Sequence, residues 1–218
     1  MERPKHLSSF TPVAILVVVL FHMVGLIGVL IPSLQQLFLL LVPFHLALMM
    51  LILTLTHQPL NSRFIVFAVM VITLGSIAEW TGIHTALLFG HYNYGNTLGY
   101  KLNGVPLIIG INWFLLIYST GVIMQKSTIK SKWLRLLIGA LILVILDLMI
   151  EPVAIRFNYW HWAGGVVPIT NYISWFILSA LLLLVFEQFN FTRQSRVAPA
   201  LLVSQFVFFG VLLVDSII

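Results

Sequence analysis

The sequence predicts an all-α integral membrane protein with seven transmembrane helices, its N-terminus inside and its C-terminus outside. Three observations carry this. First, of 218 residues 61% are hydrophobic and only 8% charged, with a mean hydropathy of +1.09, whereas a soluble domain carries about 25% charged residues. Second, the apolar residues fall into seven runs, each long enough to cross a bilayer. Third, the lysines and arginines crowd one side of the topology that those runs define.

The runs cover about 12–31, 34–56, 64–83, 105–125, 133–152, 169–187 and 198–217, where roughly 20 residues cross the hydrocarbon core. The first follows MERPKHLSSF and continues from Pro12 to Ile31. That is too long for the apolar part of a signal peptide, so it is read as a retained helix. The tight turn Ile31-Pro32-Ser33 makes the first two helices antiparallel neighbours. No polar stretch is long enough for a soluble domain, so 1–218 is read as a single polytopic membrane domain.

Seven spans place the N-terminus, the 57–63 turn and the loops 126–132 and 188–197 on one side. That side collects Arg3, Lys5, Arg63, Lys126, Lys130, Lys132, Arg135, Arg193 and Arg196. The other has Lys101 and Arg156 alone. Nine against two puts the N-terminus inside by the positive-inside rule, in an inner or plasma membrane. The formal charge of +5 therefore flanks the membrane and does not imply nucleic acid. Cysteine is absent, which excludes disulfide and thiolate chemistry.

Both long loops, 84–104 and 153–168, fall on the outer side and are rich in aromatics and glycine. They are expected to fold back over the bundle or to form an aromatic belt at the headgroups. An internal echo accompanies them. VPLIIGINW (105–113) and VPITNYISW (167–175) share Val-Pro, an Ile six residues on and a Trp eight residues on. Each follows a span that ends near a glutamate, Glu79 or Glu151.

Charges inside a span are costly and default to paired or functional roles. Glu187 reads as a solvated end residue beside Arg193 and Arg196, and Asp215 as part of a frayed end. Glu79, Asp147 and Glu151 differ. The third and fifth spans run the same way, so all three acids sit in the outer half. Asp147 and Glu151, four residues apart, share a helix face. Gly75, Ser76 and Gly82 around Glu79 permit close approach, and Asn112 and Asn171 reach the same level. Crowded carboxyls in a low dielectric do not all ionise, which yields a proton donor beside an acceptor. The structural alternative is a buried network with Arg156 neutralising Glu151.

The histidines His22, His45, His57, His84, His91 and His161 include no His-x-x-x-His pair of the kind di-iron oxygenases need. A mononuclear site from His22, His45 and His84 is the remaining metal arrangement, and no metal or other cofactor is expected. Nucleotide loops, Ser-His-Asp spacing, a DxxxD diphosphate cluster and a Schiff-base lysine in the last span are all missing.

The ordered motifs E-W-T-G (79–82), F-G-x-Y-x-Y (89–94), L-G (98–99), G-V-P (104–106), N-W (112–113), D-x-x-x-E-P-V-A (147–154), W-x-W (160–162), V-P-I-T-N-Y (167–172) and Trp175 resemble the CruF-type carotenoid 1,2-hydratases. The resemblance covers about 79 to 175, four spans and both outer loops. It departs at Glu151-Pro152, where the family pattern is expected to read Asp-Pro. It implies hydration of the terminal 1,2 double bond of an acyclic carotenoid end. Substrates would be of the lycopene, γ-carotene or bacterioruberin-precursor type, dissolved in the lipid bilayer. No redox cofactor is needed, and other enzymes of the same pathway are the expected protein partners. The implied acids are Glu79, Asp147 and Glu151.

Protonating an isolated trisubstituted alkene leaves a tertiary cation, which water then captures. Asp147, the deeper acid of its helix, is expected to donate the proton. Trp80, Trp113, Trp160 and Trp175 are candidates to stabilise the cation with their ring faces. Asn112 or Asn171 would position the water, with Tyr92, Arg156 and His84 as further substrate- or water-binding candidates. Three other readings compete, one of them a purely structural assembly partner that would tolerate loss of all three acids. A membrane lycopene cyclase begins with the same protonation, but its Pro-x-Glu-Glu type motif is missing. A small proton-coupled transporter would use the three acids as a relay.

Overall fold

The computed structural model describes residues 5–217, with side chains over 11–216. Seven helices are long and apolar enough to cross a membrane. They are α1 (Lys5–Leu30), α2 (Pro32–Thr56), α3 (Ser62–Thr85), α4 (Leu107–Lys126), α5 (Lys132–Arg156), α6 (Ile169–Phe189) and α7 (Ala198–Ile217). Arg3 of the basic set lies outside the described residues, as does the side chain of Lys5.

Local chemistry sets the helix ends. Pro32 sits in the first turn of α2, where its missing N–H is not needed. The side chain of Asn61 accepts from the Phe64 amide at 3.1 Å and caps α3. Ser131 caps α5 in the same way through the Leu134 amide at 3.4 Å. Pro106 and Pro168 stand immediately before α4 and α6. The outward faces carry large apolar side chains such as Leu16, Leu37, Phe44, Ile77, Leu181 and Val203, as a helix surface in lipid requires.

The centre of the bundle is α4. It packs against α2, α3, α5, α6 and α7, and Trp113, Phe114 and Tyr118 are fully buried along it. Small residues let its neighbours come close. A Cβ on Gly75 of α3 would stand 2.7 Å from the Trp113 ring. At the end of the bundle rich in basic residues, His57 shares a hydrogen bond with the Tyr118 hydroxyl at 2.7 Å. The Ser195 amide donates to the same oxygen at 2.8 Å, tying the α2–α3 and α6–α7 connections to α4.

At the opposite end the two aromatic loops fold over the bundle and pair with each other. Strand β1 (Tyr92–Tyr94) is antiparallel to β4 (Trp160–Trp162), with Tyr92 opposite Trp162 and Tyr94 opposite Trp160. A small hairpin, β2 (Lys101–Leu102) with β3 (Val105–Pro106), leads into α4.

Three pairings differ from the sequence reading. Glu187 is bound by Arg135 at 2.8 Å, not by Arg193 or Arg196. The antiparallel packing of α5 on α6 brings these two side chains level. Asp215 is an ion-pair partner and not a frayed end, since Arg156 donates to it at 2.7 Å. Arg156 consequently does not neutralise Glu151. Its half-exposed side chain reaches α7 instead.

Candidate functional site

Alternation along β1 and β4 builds the site. Side chains two apart on a strand share a face, so Tyr92 and Tyr94 point down onto the bundle, as do Trp160 and Trp162. Asn93 and His161 between them are exposed. Each aromatic pair grips one carboxyl group. The Tyr92 and Tyr94 hydroxyls both donate to Glu79 Oε2 at 2.6 Å. The Trp160 and Trp162 indoles donate to Glu151 Oε2 at 3.0 and 2.7 Å. A third donor serves the other oxygen of each: Trp113 for Glu79 at 2.9 Å and Asn171 for Glu151 at 3.2 Å. Burial and the adjacent Glu79 hold the Tyr92 and Tyr94 phenols above their ordinary range, so both remain donors.

Asp147, one turn before Glu151, accepts from the same Asn171 amide at 2.7 Å through Oδ2. Its Oδ1 is buried and accepts no hydrogen bond. Glu79, Asp147 and Glu151 are all buried. Among the described residues, the ion pairs involve other acids, and no lysine or arginine bonds these three. Removing an unpaired charge from water costs several kcal/mol. Among the described residues no cation offsets this cluster of three carboxyls, which is held by neutral donors alone.

Glu79 and Glu151 line a small cavity of about 40 Å³ together with Asn171, Trp113, Trp175 and Asn112. Asp147 is not in its wall. The Trp113 and Trp175 rings lie against each other with centroids 4.5 Å apart. These are the paired tryptophans of the two Val-Pro segments. Through Ile109, Asn112, Ile150 and Trp160 the small cavity shares a wall with an apolar chamber of about 450 Å³ between α1, α2, α4, α5 and α7. Phe21, Val24, Leu41 and Phe44 line this chamber and are also exposed on the outer surface of the bundle. The arrangement is an apolar chamber that adjoins, across these four shared side chains, a small polar cavity lined by two carboxyls.

The structure thus brings together Glu79, Asp147, Glu151, Asn171, Trp113, Trp160, Trp175 and Tyr92, with Asn112 at the junction of the two cavities. Trp80, His84 and Arg156 stand apart. Consecutive helix residues differ by about 100°, so the helix that buries Glu79 turns Trp80 outward, where it is 45% exposed. His84, one turn on, shares that outer face and stacks on Trp80 at 4.6 Å. His22 and His45 line the apolar chamber without it, and the three form no metal-holding group among the described residues. Tyr94 and Trp162 are the site residues that sequence reasoning missed. The signal was present in YNY and WHW, two short alternating aromatic segments, but their pairing joins residues about seventy positions apart.

The family described as carotenoid biosynthesis protein matches this chain over residues 35–217. A curated relative, the bisanhydrobacterioruberin hydratase of Haloarcula japonica, is 29% identical over 143 residues, covering 62% of this chain and 48% of that protein. The chain spans about half the length of this curated relative. No solved structure matches.

Proposed function

The chain belongs to the carotenoid biosynthesis protein family, and on that premise we propose that it is a membrane hydratase. It would add water across the terminal 1,2 double bond of an acyclic carotenoid end. The observation that carries the reading is the pair of adjoining cavities: a large apolar chamber and, sharing the wall of Ile109, Asn112, Ile150 and Trp160, a small cavity lined by Glu79 and Glu151. A polyene dissolved in the bilayer would enter sideways and present its terminal alkene to Glu79 and Glu151. The similarity to the bisanhydrobacterioruberin hydratase of Haloarcula japonica supports the same reading.

In this mechanism a carboxylic acid in the cavity wall protonates the less substituted alkene carbon. The alkene π electrons form the new C–H bond and leave a tertiary cation on the neighbouring carbon. The adjacent Trp113 and Trp175 and the nearby Trp160 offer ring faces to that cation, each interaction being worth about 2 kcal/mol when desolvated. Water held by Asn112 or Asn171 attacks, and the second carboxylate takes its proton, so the acid and base exchange roles over a turnover. Glu151 and Glu79 are the acids that reach the substrate. Asp147 stands behind Glu151, joined to it through Asn171, and stores a proton on its free Oδ1. This replaces direct donation from Asp147. The chemistry needs no redox cofactor.

The test is expression in one bacterium that accumulates lycopene and in another that makes γ-carotene, with pigments separated and weighed by mass spectrometry. A new product heavier by one water, absent with Glu79→Gln or Glu151→Gln, is expected. An isomeric product of altered absorbance would replace the reading with a cyclase. Proton-coupled flux across vesicles without any modified pigment would replace it with a carrier.

A further inference from the structure

The reaction uses one end of the apolar chamber. The far wall holds a second polar group that the reaction does not use. There α1, α2 and α7 bring His22, His45 and Gln205 into the lining of the same cavity. The His22 and His45 rings meet edge to face, with centroids 4.6 Å apart. Phe208, one turn along α7 from Gln205, faces the His22 ring at 6.3 Å. The remaining lining there is apolar, with Phe21, Val24, Leu41 and Phe209 among it.

The hydrogen-bonding capacity of this group is unbalanced. His22 is 7% exposed, and its Nδ1 donates to the Val18 carbonyl at 2.8 Å. The proton therefore sits on Nδ1, and Nε2 of the neutral ring is a bare acceptor. Gln205 is 6% exposed and its Oε1 accepts no hydrogen bond. Buried acceptors left without a donor are costly, and a polar side chain retained inside a membrane span defaults to function. Gln205 Oε1 is such an acceptor, and together with the bare His22 Nε2 in the lining of the same apolar chamber it calls for a neutral ligand that brings a donor.

We propose that His22, His45 and Gln205 form a subsite for the hydroxyl group of an isoprenoid alcohol. The O–H donates to His22 Nε2 or Gln205 Oε1, and His45 contacts the hydroxyl oxygen while the hydrocarbon chain fills the apolar wall. The subsite lies deeper than the carboxyls. His22 is eight residues from the end of α1 and Gln205 twelve from the end of α7, whereas Glu151 is five from the end of α5. At 1.5 Å per residue the hydroxyl would sit about 5–10 Å further into the bundle than Glu151. It would then be carried part-way along the chain and not at the reacting terminus. The proposal rests on the reading that the chamber holds an isoprenoid chain. A water molecule offers the same donor, and the experiment separates the two sources.

Binding to the detergent-solubilised protein is measured by quenching of tryptophan emission, Trp160 being in the chamber wall. The probes are geraniol and farnesol, their methyl ethers, and the hydrocarbons lacking the oxygen. The alcohols are expected to bind about tenfold more tightly than the ethers or hydrocarbons, as one well-made hydrogen bond allows. Gln205→Met and His22→Leu should each abolish the preference while hydrocarbon binding remains. Equal affinity for alcohol, ether and hydrocarbon in the wild-type chain would overturn the subsite and leave a water as its occupant, whatever the variants do. A preference that survives both substitutions would overturn it equally. The alcohol preference and the hydration assay are separate readouts. A retained preference without hydration sinks the hydratase reading alone, and hydration without a preference sinks the subsite alone.

Discussion

Glu79 and Glu151 are the residues on which the chemistry turns, and each is held by three neutral donors. Replacing either by Gln removes the exchangeable proton and sets an amide against donors that want an acceptor. Turnover is expected to fall by about 10²–10⁴-fold, the usual worth of a positioned acid or base, measured as product formed per protein in membranes. Asp147→Asn is expected to cost less, because Asp147 is outside the cavity wall. Tyr92→Phe removes one of the two phenols on Glu79 Oε2. A hydrogen bond to a carboxylate is worth about 1.5–3 kcal/mol, so Tm should drop and Tyr94 alone should not restore full activity. The acids were legible in the sequence because a charge in an apolar run stands out. Their donors were not, since Tyr94 and Trp162 look like any aromatic of a membrane-facing loop.

Two similar halves, α3–β1–α4 and α5–β4–α6, each supply a glutamate, an alternating aromatic pair and a Val-Pro helix start. Joining β1 to β4 closes the two halves over one cavity, so each strand positions donors for the helix before it. The helices themselves were readable from the length of the apolar runs. The strands were not, because three residues give too little periodicity and their register depends on a partner far away in the chain. Close approach of α3 to α4 is also an element property. Gly75→Ala would place a methyl group 2.7 Å from the Trp113 ring. Overpacking of this kind costs about 1–3 kcal/mol. It should lower Tm, and it should reduce activity further by shifting the indole that donates to Glu79.

The whole molecule is a multi-pass membrane protein whose two ends differ. One end is tied by His57, Tyr118 and Ser195, and the other is closed by the aromatic strands. Burial lowers the His57 pKa from 6.5 to about 4, so between these values the unfolded chain binds the extra proton and the folded chain does not. Stability is therefore full above about pH 6.5 and declines as pH falls toward about 4. His57→Phe should flatten that part of a Tm-against-pH curve. Orientation is tested directly because the chain has no cysteine. With Gly164→Cys and Lys130→Cys made separately, a membrane-impermeant thiol reagent added to intact cells should label the first and spare the second. The reverse pattern would invert the assignment made from basic residues. The sequence by itself determined the class of the protein and its seven helices, since a run of apolar residues long enough to cross lipid needs no partner to be recognised. Tertiary structure alone decided which side chains meet. It separated Arg156 from Glu151, moved Trp80 and His84 outward, and placed Tyr94 and Trp162 on the acids. Those outcomes follow from helix rotation and from strand pairing across long stretches of chain, which local pattern does not encode.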